Sequence, residues 1–214
     1  PIKRYWGIEK RPGPQYIRGI VEGNGNPPGD DLWVVYSVTK EDMWISRIPV
    51  PVKGEVSGPV DDNFNEMEPG GMVHDWNIYA PQWCPVEIHK APDMPENVLM
   101  LKDFDPYDYA KAIRVFQKSE KTHVQFQLYI EKHPEVLAME IVSANGARCV
   151  QTKVDTLGNF LAKSGKENLT AIAETEKDTW IQMDFLIDAA QKRFSIQMNG
   201  KTLAEDFRFA DEGI

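Results

Sequence analysis

The side chains best equipped for chemistry crowd into one short stretch. Tyr36, Lys40, Glu41, Asp42 and Arg47 lie within the run from Trp33 to Pro49. A phenol, a cation, two carboxylates and a guanidinium together suit a hydroxyl-rich or anionic ligand, because they supply both donors and acceptors. Upstream, Glu22 ends a strand-like run and is followed by the loop Gly23-Asn24-Gly25-Asn26-Pro27-Pro28-Gly29-Asp30. Glycine-rich loops on a rigid frame hold ligand contacts well. Arg4, Lys10, Arg11 and Arg18 make a local basic patch near the start. The forked guanidinium binds carboxylates through two bonds at once, which makes Arg11 and Arg18 candidate clamps. A polar turn with ion-paired surface neighbours accounts for the same residues.

Two oxygen-rich clusters follow, Asp61-Asp62-Asn63 and Asp103, Asp105, Asp108. Calcium takes about six to eight oxygen ligands, so Asp103, Asp105 and Asp108 are its candidates, although neither cluster has EF-hand spacing. Acidic turns are also often simply solvated. No other cofactor is expected. His74, His89, His123 and His133 have no zinc-ligand spacing, and neither a phosphate loop nor a Gly-x-Ser-x-Gly elbow is present. Cys84 and Cys149 fit either a disulfide or a buried free pair.

The elements that must position these residues read as strands throughout. Leu32–Val38 and Met43–Ile48 flank a polar turn of hairpin length. Such a hairpin is marginal alone and needs a larger β body. Further on, 123–131 alternates strictly, with Val124, Phe126, Leu128 and Ile130 on one side and Gln125, Gln127 and Tyr129 on the other. The segment 179–187 repeats the pattern, setting Ile181, Met183, Phe185 and Ile187 against Trp180, Gln182, Asp184 and Leu186. Asn145-Gly146 and Asn199-Gly200 are hairpin signals. No helix of convincing length is read. Strands every 8–12 residues with turn signals between them predict a sandwich or barrel. Three regions are expected: 1–55, an ordered Pro- and Gly-rich connector 56–95 that buries Trp76, Tyr79 and Trp83, and a sandwich over 96–214.

The 214 residues carry a formal net charge of −9, which argues against a nucleic-acid partner. No run of 18 apolar residues is present, so no membrane span is expected. The chain begins Pro1-Ile2-Lys3 without Met or a secretory signal, and a piece of a longer parent chain is expected.

Tyr5-Trp6-Gly7, Arg11-Pro12-Gly13-Pro14, the 19–25 stretch and the run Tyr36 to Pro49 resemble bacterial sialidase-like β-propeller proteins. Residues 76–77 and 83–86 are similar to that family's exit from the propeller. The pattern beyond Asp103 resembles laminin-G or concanavalin-like jelly rolls. The resemblance implies an all-β chain: propeller-blade-like strands, then an antiparallel jelly-roll sandwich. It implies the C-terminal region of a carbohydrate-active protein, secreted, periplasmic or on the cell surface of a bacterium, with a glycan or oligosaccharide as partner. The sandwich would bind glycan or brace the propeller.

Two alternatives stay open. One is a glycoside hydrolase whose active site is partly built by 1–55. The other is a structural sandwich without ligand. Glycosidases use a carboxylate pair or a Tyr nucleophile, so the catalytic candidates are Glu22, Tyr36 and Glu41. Arg11, Arg18 and Lys40 would bind substrate. Trp6, Trp33, Trp44, Trp76, Trp83 and Tyr107 are candidates for stacking on sugar rings or for packing the core. About 50 residues hold one blade and no Ser-x-Asp-x-Gly-x-Thr-Trp box is present, so this chain alone is not expected to be catalytic.

Overall fold

The computed structural model describes residues 14–20, 32–38, 42–48, 56, 58–71, 73–81, 83–143 and 145–211. The chain divides into two compact units, Pro1–Gln117 and Lys118–Ile214. All regular structure among the described residues is β-strand.

In the first unit, β1 (Pro14–Ile20), β2 (Leu32–Val38) and β3 (Asp42–Ile48) form an antiparallel sheet in that order. The expected hairpin is there, with Val38 opposite Asp42 and Tyr36 opposite Trp44. Two short antiparallel pairs accompany this sheet. The first joins β4 (Trp76–Tyr79) to β7 (Lys111–Arg114). The second joins β5 (Val86–Lys90) to β6 (Asn97–Leu101). Asp62 locks the first pair. It accepts from Arg114 Nε at 2.8 Å and from the Trp76 indole at 3.0 Å. Asn97 fixes the second by donating to the Met67 carbonyl at 2.9 Å while its N–H donates to Asn65 at 2.8 Å.

The second unit is the two-sheet sandwich. One sheet runs β15 (Lys201–Arg208), β14 (Arg193–Met198), β13 (Trp180–Asp188), β8 (Lys121–Tyr129). The other runs β12 (Thr170–Glu174), β11 (Asn159–Ala162), β10 (Arg148–Asp155), β9 (Val136–Val142). The chain lays down β8, crosses to build β9 to β12 as a meander, and returns as β13 beside β8. Every pairing is antiparallel. The inward sets are those the alternation predicts. Ile181, Met183, Phe185 and Ile187 are buried with Ile130, and Val124, Phe126 and Leu128 pack against them. Val150, Val154 and Phe160 complete the core from the facing sheet.

The turns follow their sequence signals. Asn199 and Gly200 both have positive φ, 50° and 74°, as a two-residue hairpin turn of the mirror type requires. Gly158, at φ 84°, answers to two demands. It tolerates the left-handed backbone, and a Cβ there would collide with the His133 ring. Its carbonyl accepts from the N–H and hydroxyl of Thr175, at 2.8 and 2.9 Å.

The blade-like expectation is corrected. The hairpin β2–β3 gains only β1, and no closed or curled sheet occurs among the described residues. A blade needs about four strands, and several blades must close around an axis. The all-β sandwich is found; the propeller strands are not. Burial of Trp83 is also corrected: it is 49% exposed. It reaches the fold through its backbone, whose carbonyl accepts from the Phe104 N–H at 2.8 Å. Trp76 and Tyr79 are half-buried. Of the two alternatives for Cys84 and Cys149, the structure has both as buried free thiols.

Candidate functional site

Strict alternation on β8 and β13, joined in register, builds a ladder on the outer face of the first sandwich sheet. Trp180 stands opposite Tyr129, Gln182 opposite Gln127, Asp184 opposite Gln125 and Leu186 opposite His123. Directly opposed residues share a face, so these eight side chains form one surface. The inward partners on the same strands fill the core, which fixes the face: a slip of one residue would exchange the two sets. Strand β14 widens the face, with Gln197 opposite Asp184 and Ser195 opposite Leu186.

At one end the rings of Tyr129 and Trp180 meet at 5.2 Å, tilted by 55°. At the centre lies Asp184, only 8% exposed. Its Oδ1 accepts from His123 Nε2 at 2.8 Å and from Gln125 Nε2 at 2.9 Å, and its Oδ2 from Gln182 Nε2 at 3.5 Å. Burial pushes its carboxyl upward, but the bonds from His123, Gln125 and Gln182 outweigh that and hold it below the usual carboxylate value. The carboxylate thereby orients three exposed or half-exposed polar side chains. Beyond His123 the face runs into an open cleft of about 520 Å³ bordered by Lys121, Leu186, Arg193 and Asp206.

A second aromatic group lies in the first unit. Trp44 stacks on Tyr79 at 5.4 Å and 11°, and Tyr79 meets Tyr109 at 5.4 Å. The Tyr79 hydroxyl donates to both oxygens of Asp108, at 2.9 and 3.0 Å. Tyr36 belongs to the same face of the hairpin as Trp44, and its hydroxyl shares a hydrogen bond of 2.8 Å with Ser46.

Only some of the residues singled out from sequence fall among the described residues. Arg11, Glu22, Lys40 and Glu41 lie outside the described residues. Arg18 stands on β1 opposite Val35. Tyr36 bonds to Ser46 as above. The carboxylates of Asp103, Asp105 and Asp108 serve separate donors. Asp103 accepts from the Cys84 thiol at 3.2 Å and from the Asp105 N–H at 3.0 Å, and Asp105 accepts from the Tyr107 N–H at 2.9 Å. Burial and then the Asp103 bond push the Cys84 thiol up to about 11. Among the described residues no group of three His, Cys, Asp or Glu is placed to hold a metal ion. Of the proposed stacking residues, Tyr107 is 66% exposed. Sequence reasoning passed over Trp180 and Tyr129 as a pair. Their strands are about 50 residues apart in the chain, and alternation reveals each strand's face but not its neighbour.

The outer face of this β-sandwich displays an aromatic pair beside a row of amides and a carboxylate bonded to His123. The class of the module comes from the comparisons. The family described as "Sialidase-like, CBM domain" matches residues 76–212, well over half of the chain. The chain belongs to this family of sialidase-like carbohydrate-binding modules. A solved structure titled "Sialidase" is similar to it, with a TM-score of 0.85 and 35% sequence identity over 95% of this chain. The chain spans 18% of the length of that structure. Among curated proteins none matches. The resemblance to a sialidase-like propeller is thus corrected: the related part is the carbohydrate-binding module. That module is not catalytic, in agreement with the expectation for this chain alone.

Proposed function

We propose that the chain is a glycan-binding accessory module of a longer sialidase-related protein, and that it binds through the ladder face of β8, β13 and β14. The observation that carries this reading is the register that sets the Tyr129–Trp180 pair beside Gln127 and Gln182. An aromatic ring accepts the apolar C–H face of a sugar, and neighbouring amides both donate to and accept from its hydroxyls. Asp184 takes donors from Gln125 and Gln182, leaving each amide oxygen to accept from a ligand hydroxyl. The similarity to a sialidase supports the further reading that the parent is carbohydrate-active. It also supports action outside the cytoplasm, in the secreted or cell-surface setting of a bacterium, where complex glycans are met.

The test is a glycan array probed with the 214-residue chain and with a Trp180→Ala, Gln127→Ala variant. The intact chain is expected to retain a subset of glycans. The variant is expected to lose at least about tenfold in affinity, since one stacking contact and one polar contact together contribute about 1.5–3 kcal/mol. Equal retention by both proteins removes the ladder face from the site. No retention by either removes the glycan-binding reading.

A further inference from the structure

The charges on the ladder face are distributed unevenly along the strands, and that distribution bears on which sugars can lie there. From the aromatic row, Trp180 opposite Tyr129, successive outward rows are Gln182 with Gln127, Asp184 with Gln125, Leu186 with His123, and Asp188 with Lys121. Rows on one face are about 6.6 Å apart along a strand. A sugar stacked on the aromatic pair and lying over the glutamine row is therefore roughly 7 Å from Asp184. That carboxylate is held below the usual carboxylate value, so it is ionised at neutral pH, and it bonds His123 at 2.8 Å.

On β8, β13 and β14 the permanent cations lie at the opposite end, whereas the segments next to the aromatic row carry Lys132, Lys177 and Lys201 balanced by Glu131, Glu176 and Asp178. Lys121 and Arg193 both stand opposite Asp188 in the register, about 26 Å from the aromatic row along the strand. Arg193 is also paired with Asp206 at 3.2 Å. A separation of that size exceeds the screening length of about 8 Å at physiological ionic strength several times over. Asp184 lies within it. The chain's net charge of −9 adds a background field of the same sign.

Resting on the reading that this face binds glycan, we propose that it selects neutral sugars and turns away those bearing a carboxylate. The module would hold its parent on the neutral portion of a glycan, and the acidic sugar would be left to other parts of the protein. Asp184 has two tasks here: it orients the amides that read hydroxyls, and it supplies the charge that excludes an anion.

The experiment uses the 214-residue chain on an array of neutral oligosaccharides. Each is printed beside a carboxylate-bearing counterpart, capped with sialic acid or with one hexose oxidised to a uronic acid. Neutral members are expected to be retained about tenfold more strongly than their acidic partners, because a like charge at this range opposes binding. Gln127→Arg places a guanidinium on the exposed glutamine row, and it should raise the acidic members toward the neutral ones. Asp184→Asn should narrow the gap from the other side. Equal or tighter binding of the acidic members by the unaltered chain overturns the proposal and leaves glycan binding intact. A gap that neither variant changes overturns Asp184 as its cause. Retention of nothing removes the glycan-binding reading, and this inference with it.

Discussion

The two aromatic groups of this molecule use the same side chains to opposite ends. In the first unit Trp44 stacks on Tyr79, Tyr79 meets Tyr109 at a tilt, and Asp108 takes the Tyr79 hydroxyl with both oxygens. Rings and carboxylate there complete each other. In the second unit Tyr129 and Trp180 meet at a tilt at the end of a ladder whose carboxylate, Asp184, collects side chains of β8 and β13 and holds them along the outer face. A Tyr, a Trp and an Asp in proximity therefore do not define a ligand surface. What decides is whether the carboxylate closes on the aromatic beside it or orients other polar groups toward solvent.

The largest effect expected from this contrast is in the first unit. Tyr79→Ala removes a ring that touches two others and takes one donor from the Asp108 carboxylate, so it should cost about 3 kcal/mol of stability. Tyr79→Phe keeps the rings and loses only the bonds to Asp108, at about 1 kcal/mol. Urea unfolding measures both, and glycan retention by the folded variants should be unchanged. If Tyr79→Phe keeps its stability and loses glycan, the first-unit group is the ligand surface and the contrast is reversed.

How much of this was legible in the sequence follows from what each signal encodes. Period-two alternation places Phe126 and Phe185 inside and Gln125 and Asp184 outside, because it reports a strand's own two faces. Turn residues locate β9–β10 and β14–β15, since Asn-Gly is a local backbone requirement. The neighbour of β8 is not local: β13 reaches it only after the chain has crossed to the other sheet and back. The ladder exists only in that pairing. The dense polar hairpin at 36–47 drew the site assignment instead, and Tyr36 proves to bond its own cross-strand neighbour Ser46. The hairpin was found correctly. Its extension into a propeller was not, because a hairpin carries no information on how many strands will join it.

A smaller effect, in the second unit, separates orientation from burial as the role of Asp184. Its folded carboxyl is held low, so it contributes stability that is present above the unfolded value of about 3.9 and lost as pH falls through the lower folded value. The unfolding midpoint should accordingly drop on acidification below about pH 4. Asp184→Asn should flatten that acid limb, since the amide does not titrate. Thermal melts between pH 2 and 6 measure this, on a scale set by about one proton. An acid limb identical in the two proteins would mean that the hydrogen bonds from His123 and Gln125 do not favour the charged form. Asp184 would then resemble a solvated surface carboxylate, without a part in ordering the face.

The smallest effect belongs to Trp83, and its smallness is the point. A tryptophan enclosed by the fold would cost about 3–5 kcal/mol on truncation to Ala. Trp83 is 49% exposed, and the bond it contributes, from the Phe104 N–H to its carbonyl, belongs to the backbone and survives the change of side chain. The Trp83→Ala loss should therefore stay near 1 kcal/mol, the contribution of the covered half of the ring. Phe104 and Tyr107 of the same unit are likewise open, at 71% and 66% exposure. If Trp83→Ala instead costs 3 kcal/mol or more, about the loss expected for Tyr79→Ala, the ring is anchored by the first unit as firmly as the stack is. The contrast between aromatics that close on one another and aromatics that remain open would then fail within a single unit.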